Sequence, residues 1–133
     1  EFVDGDIITA DLMRNASTGQ RMAVLRLEEI RNRNGCGIAV EIIEDPKLIE
    51  ICCELMEKLD LDGVANAEFV CSKDGYRIIE VNPRFSAGSI FTCMAGYDIV
   101  MDALRIASNE PCEPGSVEYG ARFARRYEAY RML

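Results

Sequence analysis

Glu68 and Glu80 are the residues whose placement points most directly to chemistry. Each sits in a segment that alternates like a β-strand, Val64–Cys71 and Tyr76–Asn82, and the two are joined by Ser72-Lys73-Asp74-Gly75, a hairpin signal. A three-residue loop, Lys73-Asp74-Gly75, with Gly75 at positive φ, pairs Ser72 with Tyr76. Counting back along the ladder then sets Glu68 directly opposite Glu80. Two facing carboxylates repel, at a cost of about 0.2–1 kcal/mol relative to a neutral pair. A divalent cation resolves that repulsion, because hard cations such as Mg²⁺ take one or two carboxylates together with substrate phosphates. Asn82 adds an oxygen on the same face as Glu80, and Arg84 follows after Pro83, within reach of an anion held by the metal. The alternative is an ordinary solvated acidic face, since a one-residue register shift removes the confrontation.

The remaining elements have to hold that hairpin in place. Strands are expected at Glu1–Val3, Ile7–Met13, Met22–Leu27 and Ile38–Ile43, with a turn at Asn15–Gln20 and a polar, glycine-ended surface loop over Glu28–Gly37. Asp45-Pro46 starts the clearest helix, Pro46–Leu59: Asp caps, and proline is tolerated where the backbone N–H is unpaired anyway. Leu48, Ile51, Cys52, Leu55, Met56 and Leu59 give it one apolar stripe. Pro83–Gly88 reads as a loop, Ser89–Ala95 and Asp98–Ala107 as helices, and Tyr119–Tyr130 as a final strand with arginine-rich edges.

Composition narrows the function further. The chain has 133 residues, the size of one domain, with 49% hydrophobic and 29% charged residues. Its formal net charge of -8 argues against a nonspecific nucleic-acid or anionic-membrane binder. No apolar run approaches the roughly 18 residues of a membrane span. With no histidine, a His triad, a His-ligated zinc and an imidazole base are excluded. The six cysteines form no C-x-x-C pair and do not suit a secreted disulfide framework, so reduced thiols in a cytoplasmic protein are expected.

Asn66-Ala67-Glu68-Phe69 followed by Ile79-Glu80-Val81-Asn82-Pro83-Arg84 resembles the ATP-grasp superfamily, and the order of strands and helices fits over almost the whole chain. The segment N-P-R-F-S-A-G most resembles ligases like the carbamoyl-phosphate synthase large subunit. The resemblance implies an α/β (α+β) fold, an antiparallel sheet with helices packed on it, forming the C-terminal lobe over residues 1–133. It implies ATP and Mg²⁺ (or Mn²⁺) as cofactors, with Glu68, Glu80 and Asn82 on the metal and Arg84 on the transferred phosphoryl or acyl phosphate. Val3, in the opening Glu1-Phe2-Val3-Asp4-Gly5, would meet adenine through its backbone, Ile79 would pack on the ring, and Arg31, like Arg26, falls where a phosphate-facing basic residue is common. Ser86-Ala87-Gly88-Ser89 would face the acceptor substrate. Two departures stand out: Ile7 occupies the position of a ribose-binding acid, and the phosphate-binding lysines and glycine-rich loop do not occur in this chain.

The expected function is therefore the ATP- and Mg-binding lobe of a carboxylate-amine or related ligase that works through an acyl phosphate and is inactive alone. Its expected partners are ATP, a small carboxylate and the missing N-terminal lobe of the same protein, with a homo-oligomer as a further option. The competing reading is a degenerate ATP-grasp module with a structural role. A two-carboxylate glycosidase is more distant, because N-P-R has no part in that chemistry.

Overall fold

The computed structural model describes residues 4–113, 115–126, 128–129 and 131–132. Its strands are β1 (Asp6–Asn15), β2 (Gln20–Arg31), β3 (Gly37–Ile43), β4 (Gly63–Ser72), β5 (Gly75–Asn82) and β6 (Arg122–Ala124). Its helices are α1 (Pro46–Lys58), α2 (Ser89–Met94) and α3 (Ile99–Ala107). All strand pairings are antiparallel, in the order β5-β4-β1-β2-β3-β6.

Strand alternation gives the sheet two different faces. Ile8, Ala10 and Leu12 of β1, Ala23 and Leu25 of β2, and Ala65, Ala67 and Phe69 of β4 all turn to one side and are buried. There they meet Leu48, Cys52, Cys53 and Met56 of α1. Fully burying one such Leu, Met or Phe side chain stabilises the fold by about 1.5–3 kcal/mol, which makes this layer the anchor of the sheet. Asp45 caps α1 by accepting from the Leu48 backbone N–H at 3.1 Å. Its other carboxylate oxygen accepts from the Tyr76 hydroxyl at 2.6 Å and so ties the helix start to β5.

The opposite face is graded. Met13, Val24 and Ile42 are apolar and lie under Ala95, Tyr97 and Ile99 of the α2–α3 segment. Further along this face come Asp11 and Thr9 of β1, Arg26 of β2 and Asn66 of β4, all buried, and then Glu28 of β2 and Glu68 of β4. The site lies on that polar stretch.

Three local expectations are corrected. Glu28–Arg31 is not loop but the end of β2. Register shifts after Glu28 and Ile30 keep this polar run paired with β3, and ladder bonds come from the backbone whatever the side chains are. The true turn is shorter and is closed by Asn32, whose N–H donates to the Cys36 carbonyl and whose side-chain oxygen accepts from Asn34 and Cys36. The last strand covers only Arg122–Ala124 rather than Tyr119–Tyr130, and Tyr127 and Tyr130 lie outside the described residues. The third correction concerns the β4–β5 turn, which sets the geometry of the site.

Candidate active site

Gly75 takes the expected positive φ, +108°, yet it pairs with Ser72, so the loop has two residues rather than three. By itself that shift would carry Glu80 out of register with Glu68. A bulge restores it: Phe69 pairs with Ile78 and Glu68 with Glu80, leaving Ile79 as the extra residue. Two departures from the simple hairpin thus cancel at the carboxylates. They do not cancel at Ile79. An unbroken ladder would alternate Ile79 to the face away from Glu80, whereas here Ile79 and Glu80 line the same cavity.

That cavity has a volume of about 320 Å³, at the lower end of the range for small-molecule sites. Glu68, Ile79, Glu80, Arg31 and Arg84 all contribute to its wall. Arg31 donates to Glu68 at 2.6 Å and, through Nε, to the Gly35 carbonyl at 2.8 Å, so the guanidinium bridges the β2–β3 turn and a carboxylate of β4. Asn82 stands beside the wall rather than in it: its amide donates to Glu80 at 2.9 Å, and its ladder partner is Asn66. Arg84 is exposed, held by a bond from its guanidinium to the Phe85 carbonyl at 2.9 Å. Val3 lies outside the described residues.

Other cavity residues had no role in the sequence reading. Glu28 was hidden in the supposed loop. One of its carboxylate oxygens is buried with no partner, and desolvation raises its pKa above the ordinary carboxylate range despite a hydrogen bond with Thr9. Asn66 is 8% exposed, and its side-chain oxygen is likewise buried without a partner. The signal for Asn66 was present, since it shares a strand face with Glu68.

Arg26, a phosphate-facing candidate by position, has been put to another use. Its side chain is 1% exposed and paired with the equally buried Asp11. It also donates to Thr92 of α2 at 2.8 Å and to Ser86 at 3.0 Å, while Thr92 donates to Asp11 at 2.6 Å. Ser86 in turn accepts from the Gly88 N–H at 3.0 Å. From the other side Arg125 donates to the Ala87 carbonyl and stacks on Phe91, 5.1 Å from the ring centroid. The loop after Asn-Pro-Arg is therefore held between two arginines.

Over residues 1–128 the chain matches the family described as ATP-grasp in the biosynthetic pathway with Ter operon. It belongs to that ATP-grasp family. Among solved structures, the ATPase subunit of phosphoribosylaminoimidazole carboxylase from Aquifex aeolicus is 27% identical, with a TM-score of 0.73 over 92% of this chain and 38% of its own. Biotin carboxylase from Campylobacter jejuni, solved as a β-γ-ATP complex, is 16% identical, with a TM-score of 0.72 over 88% and 29%. The biotin carboxylase domain of Hydrogenobacter thermophilus 2-oxoglutarate carboxylase, solved with MgADP, ADP and bicarbonate, is 19% identical, with a TM-score of 0.69 over 88% and 28%. The last two likenesses are of fold alone. No curated protein matches by sequence. This ATP-grasp chain spans well under half the length of each of these structures, and its antiparallel sheet with packed helices is the fold they share.

Proposed function

We propose that this ATP-grasp chain is the catalytic lobe of an ATP-dependent ligase that activates a carboxylate as an acyl phosphate for attack by an amine or related nucleophile. The observation that carries the reading is the Glu68–Glu80 ladder pair, with Ile79 bulged into the same cavity and Arg31 and Arg84 on its wall. Two carboxylates and a carboxamide, Glu68, Glu80 and Asn82, are an all-oxygen set suited to Mg²⁺ or Mn²⁺. Among the described residues no three acidic, His or Cys side chains converge, so phosphate and water would complete the coordination. When bound, the metal would neutralise charge on the phosphates during transfer.

The rest belongs to the chain. Ile79 supplies an apolar wall for the adenine, with the segment around Val3 meeting its edge. Arg31 faces phosphate once it leaves Glu68. A substrate carboxylate oxygen attacks the γ-phosphorus as the bond to ADP breaks. Arg84 stabilises the charge on the transferred phosphoryl and then on the acyl phosphate, from which the nucleophile displaces phosphate. A further lobe of the same protein would supply the lysines and glycine-rich loop, making the chain inactive alone. Within the superfamily, the kinship with carbamoyl-phosphate synthase-like ligases rests on the Asn82–Gly88 segment. The acidic charge speaks against a nucleic-acid partner. Among the described residues no helix is long and apolar enough to cross a membrane, and a cytoplasmic setting is part of the proposal.

One observation favours a second reading, a degenerate module with an interaction role: Glu68 is already paired with Arg31 and so is not free for a metal. Glu80→Gln in the full-length protein separates the two, because ADP release close to wild type would leave the carboxylate pair without a catalytic part. Titrating the 133-residue chain with Mg-ATP tests the lobe itself. Weak binding without turnover is expected, and turnover would show that no second lobe is needed.

A further inference from the structure

We infer that the outer face of α2 and α3 is the contact between two copies of this protein, a twofold dimer centred on Met94, Met101 and Leu104. That contact would form whether or not the ligase reading above holds.

Ala95, Tyr97 and Ile99 turn inward from this segment and are buried on Met13, Val24 and Ile42 of the sheet. Ile90 and Met94 stand one turn apart on the outside of α2, and Val100, Met101 and Leu104 on the outside of α3. Each of the five is between 43% and 57% exposed. Because α2 packs against α3, they make one apolar surface. Five half-exposed side chains of this size present about 500 Å², toward the upper end of what a lone soluble domain shows to water. Face to face, two copies bury about 1,000 Å² from these residues alone, the size at which an interface becomes specific, and the rim adds to it.

Charge selects a second copy as the occupant. The chain carries a net charge of -8, so two copies repel over most of their surface. The run Ser89–Ala107 holds three charged residues, Asp98, Asp102 and Arg105. Asp102 is 1% exposed and takes Arg105 at 2.8 Å, which leaves Asp98, the cap of α3, as the acid at the surface. Like-charged copies can meet at such a face without opposing charges of one sign. A basic or acidic partner would find nothing here to answer its charge. Methionines at the centre suit a self-complementary contact, because their unbranched side chains adapt to one another across a twofold axis.

The face also lies away from the cavity. Ile99 shares its cluster with Met13 and Val64, which pair with each other on the β1–β4 ladder. The cavity is lined at the Thr9–Glu68 step, four residues or about 13 Å along the strands. A lobe that brings lysines to the phosphates has to reach that end, and α3 remains free for a second copy.

Sedimentation velocity on the full-length protein tests the contact over about 1–100 μM, the range in which a small interface associates. The wild type should be a dimer at the upper end. Leu104→Glu and, separately, Met94→Glu should each raise the dissociation constant by at least about 30-fold, the effect of losing a central anchor. Two independent variants guard against one that fails to fold, and neither should lower the melting temperature of the monomer, since both residues face water in a single copy. Leu59→Glu, at a half-exposed residue that ends α1, should leave the dimer intact and controls for the added charge. A wild type that stays monomeric at about 100 μM overturns the inference. So does a dimer that neither variant weakens, which would place the contact elsewhere. A monomeric wild type whose melting temperature falls by several degrees in Leu104→Glu would show instead that another part of the same protein covers the face.

Discussion

Glu68 and Glu80 face each other across the β4–β5 ladder only because Ile79 is bulged out between the Phe69–Ile78 pair and their own. The carboxylates and the apolar wall beside them are products of one backbone irregularity. Removing Ile79 would restore a regular ladder with Glu80 still opposite Glu68, and only the cavity-facing side chain would be lost. Deleting Ile79 in the full-length protein should therefore weaken ATP binding about tenfold, from the loss of one buried aliphatic contact, while leaving the Mg²⁺ requirement in place. Loss of metal dependence along with ATP affinity would mean that the bulge also sets the carboxylates.

Glu80 itself is exposed, and its carboxylate accepts from the Asn82 amide. Glu80→Gln should therefore leave the thermal midpoint nearly unchanged, as surface substitutions away from packed features usually do. ADP release should fall by at least about 100-fold if the carboxylate neutralises transition-state charge. A variant that melts normally and keeps its activity would leave the pair as a solvated face.

Arg31 competes with a cation for Glu68. Replacing it with Gln should tighten Mg²⁺ binding by about threefold to tenfold, since a partly exposed ion pair is worth about 0.2–1 kcal/mol and its loss also frees a ligand. ATP affinity should fall in the same variant, because a phosphate-facing charge is gone. Metal titration followed calorimetrically, with and without nucleotide, reads the two effects separately. A fall in both affinities would show that Arg31 positions Glu68 for the metal instead of blocking it.

The confrontation of carboxylates was legible from strand alternation, although the turn length used to reach it was one residue too long. The error was invisible because turn and bulge shift the register in opposite senses. What betrayed it was Ile79, which an unbroken ladder cannot place beside Glu80. Glu28 was not legible: a polar run ending in glycine reads as loop, yet its hydrogen bonds come from the backbone of β3. Nor could sequence separate the roles of Arg26 and Arg31. Only the fold brings Asp11, Thr92 and Ser86 around Arg26, from partners up to 66 residues away. The helix Pro46–Lys58 was the easiest element, because cap, proline and stripe all agree.

Gly88 and Ser86 make the Arg26 cluster testable. A β-carbon on Gly88 would lie 2.9 Å from Arg26 Nε, so Gly88→Ala should push the loop off the guanidinium. Ser86→Ala removes the contact between Arg26 and the loop without touching the Asp11–Arg26–Thr92 core. It should cost about 1 kcal/mol of stability. The loop that carries Arg84 would loosen as well, lowering kcat about tenfold with KM for ATP little changed. Asp11→Asn, which strips charge from a fully buried pair, should destabilise by about 3–5 kcal/mol. Equal losses of kcat in Ser86→Ala and in a distant variant of the same stability would reduce the cluster to a purely structural role.

Glu28 gives the pH prediction. Burial raises its pKa in the folded chain above the unfolded value, so its charged form is disfavoured by folding. The unfolded state then loses its proton first as pH rises. Stability relative to a neutral residue is intact below the unfolded pKa and is lost as pH climbs through the folded one. Glu28→Gln should accordingly melt higher than wild type at pH 7, and the gap should close as pH is lowered toward 4. Gly37 bears on the same point, because a β-carbon there would come within 2.0 Å of the buried Glu28 oxygen. Gly37→Ala would force that carboxylate toward the cavity and water, lowering its pKa and flattening the pH dependence of the melting gap. A gap that widens toward acid pH would mean that Glu28 is stabilised as the anion, with Arg26 and Arg31 outweighing its burial.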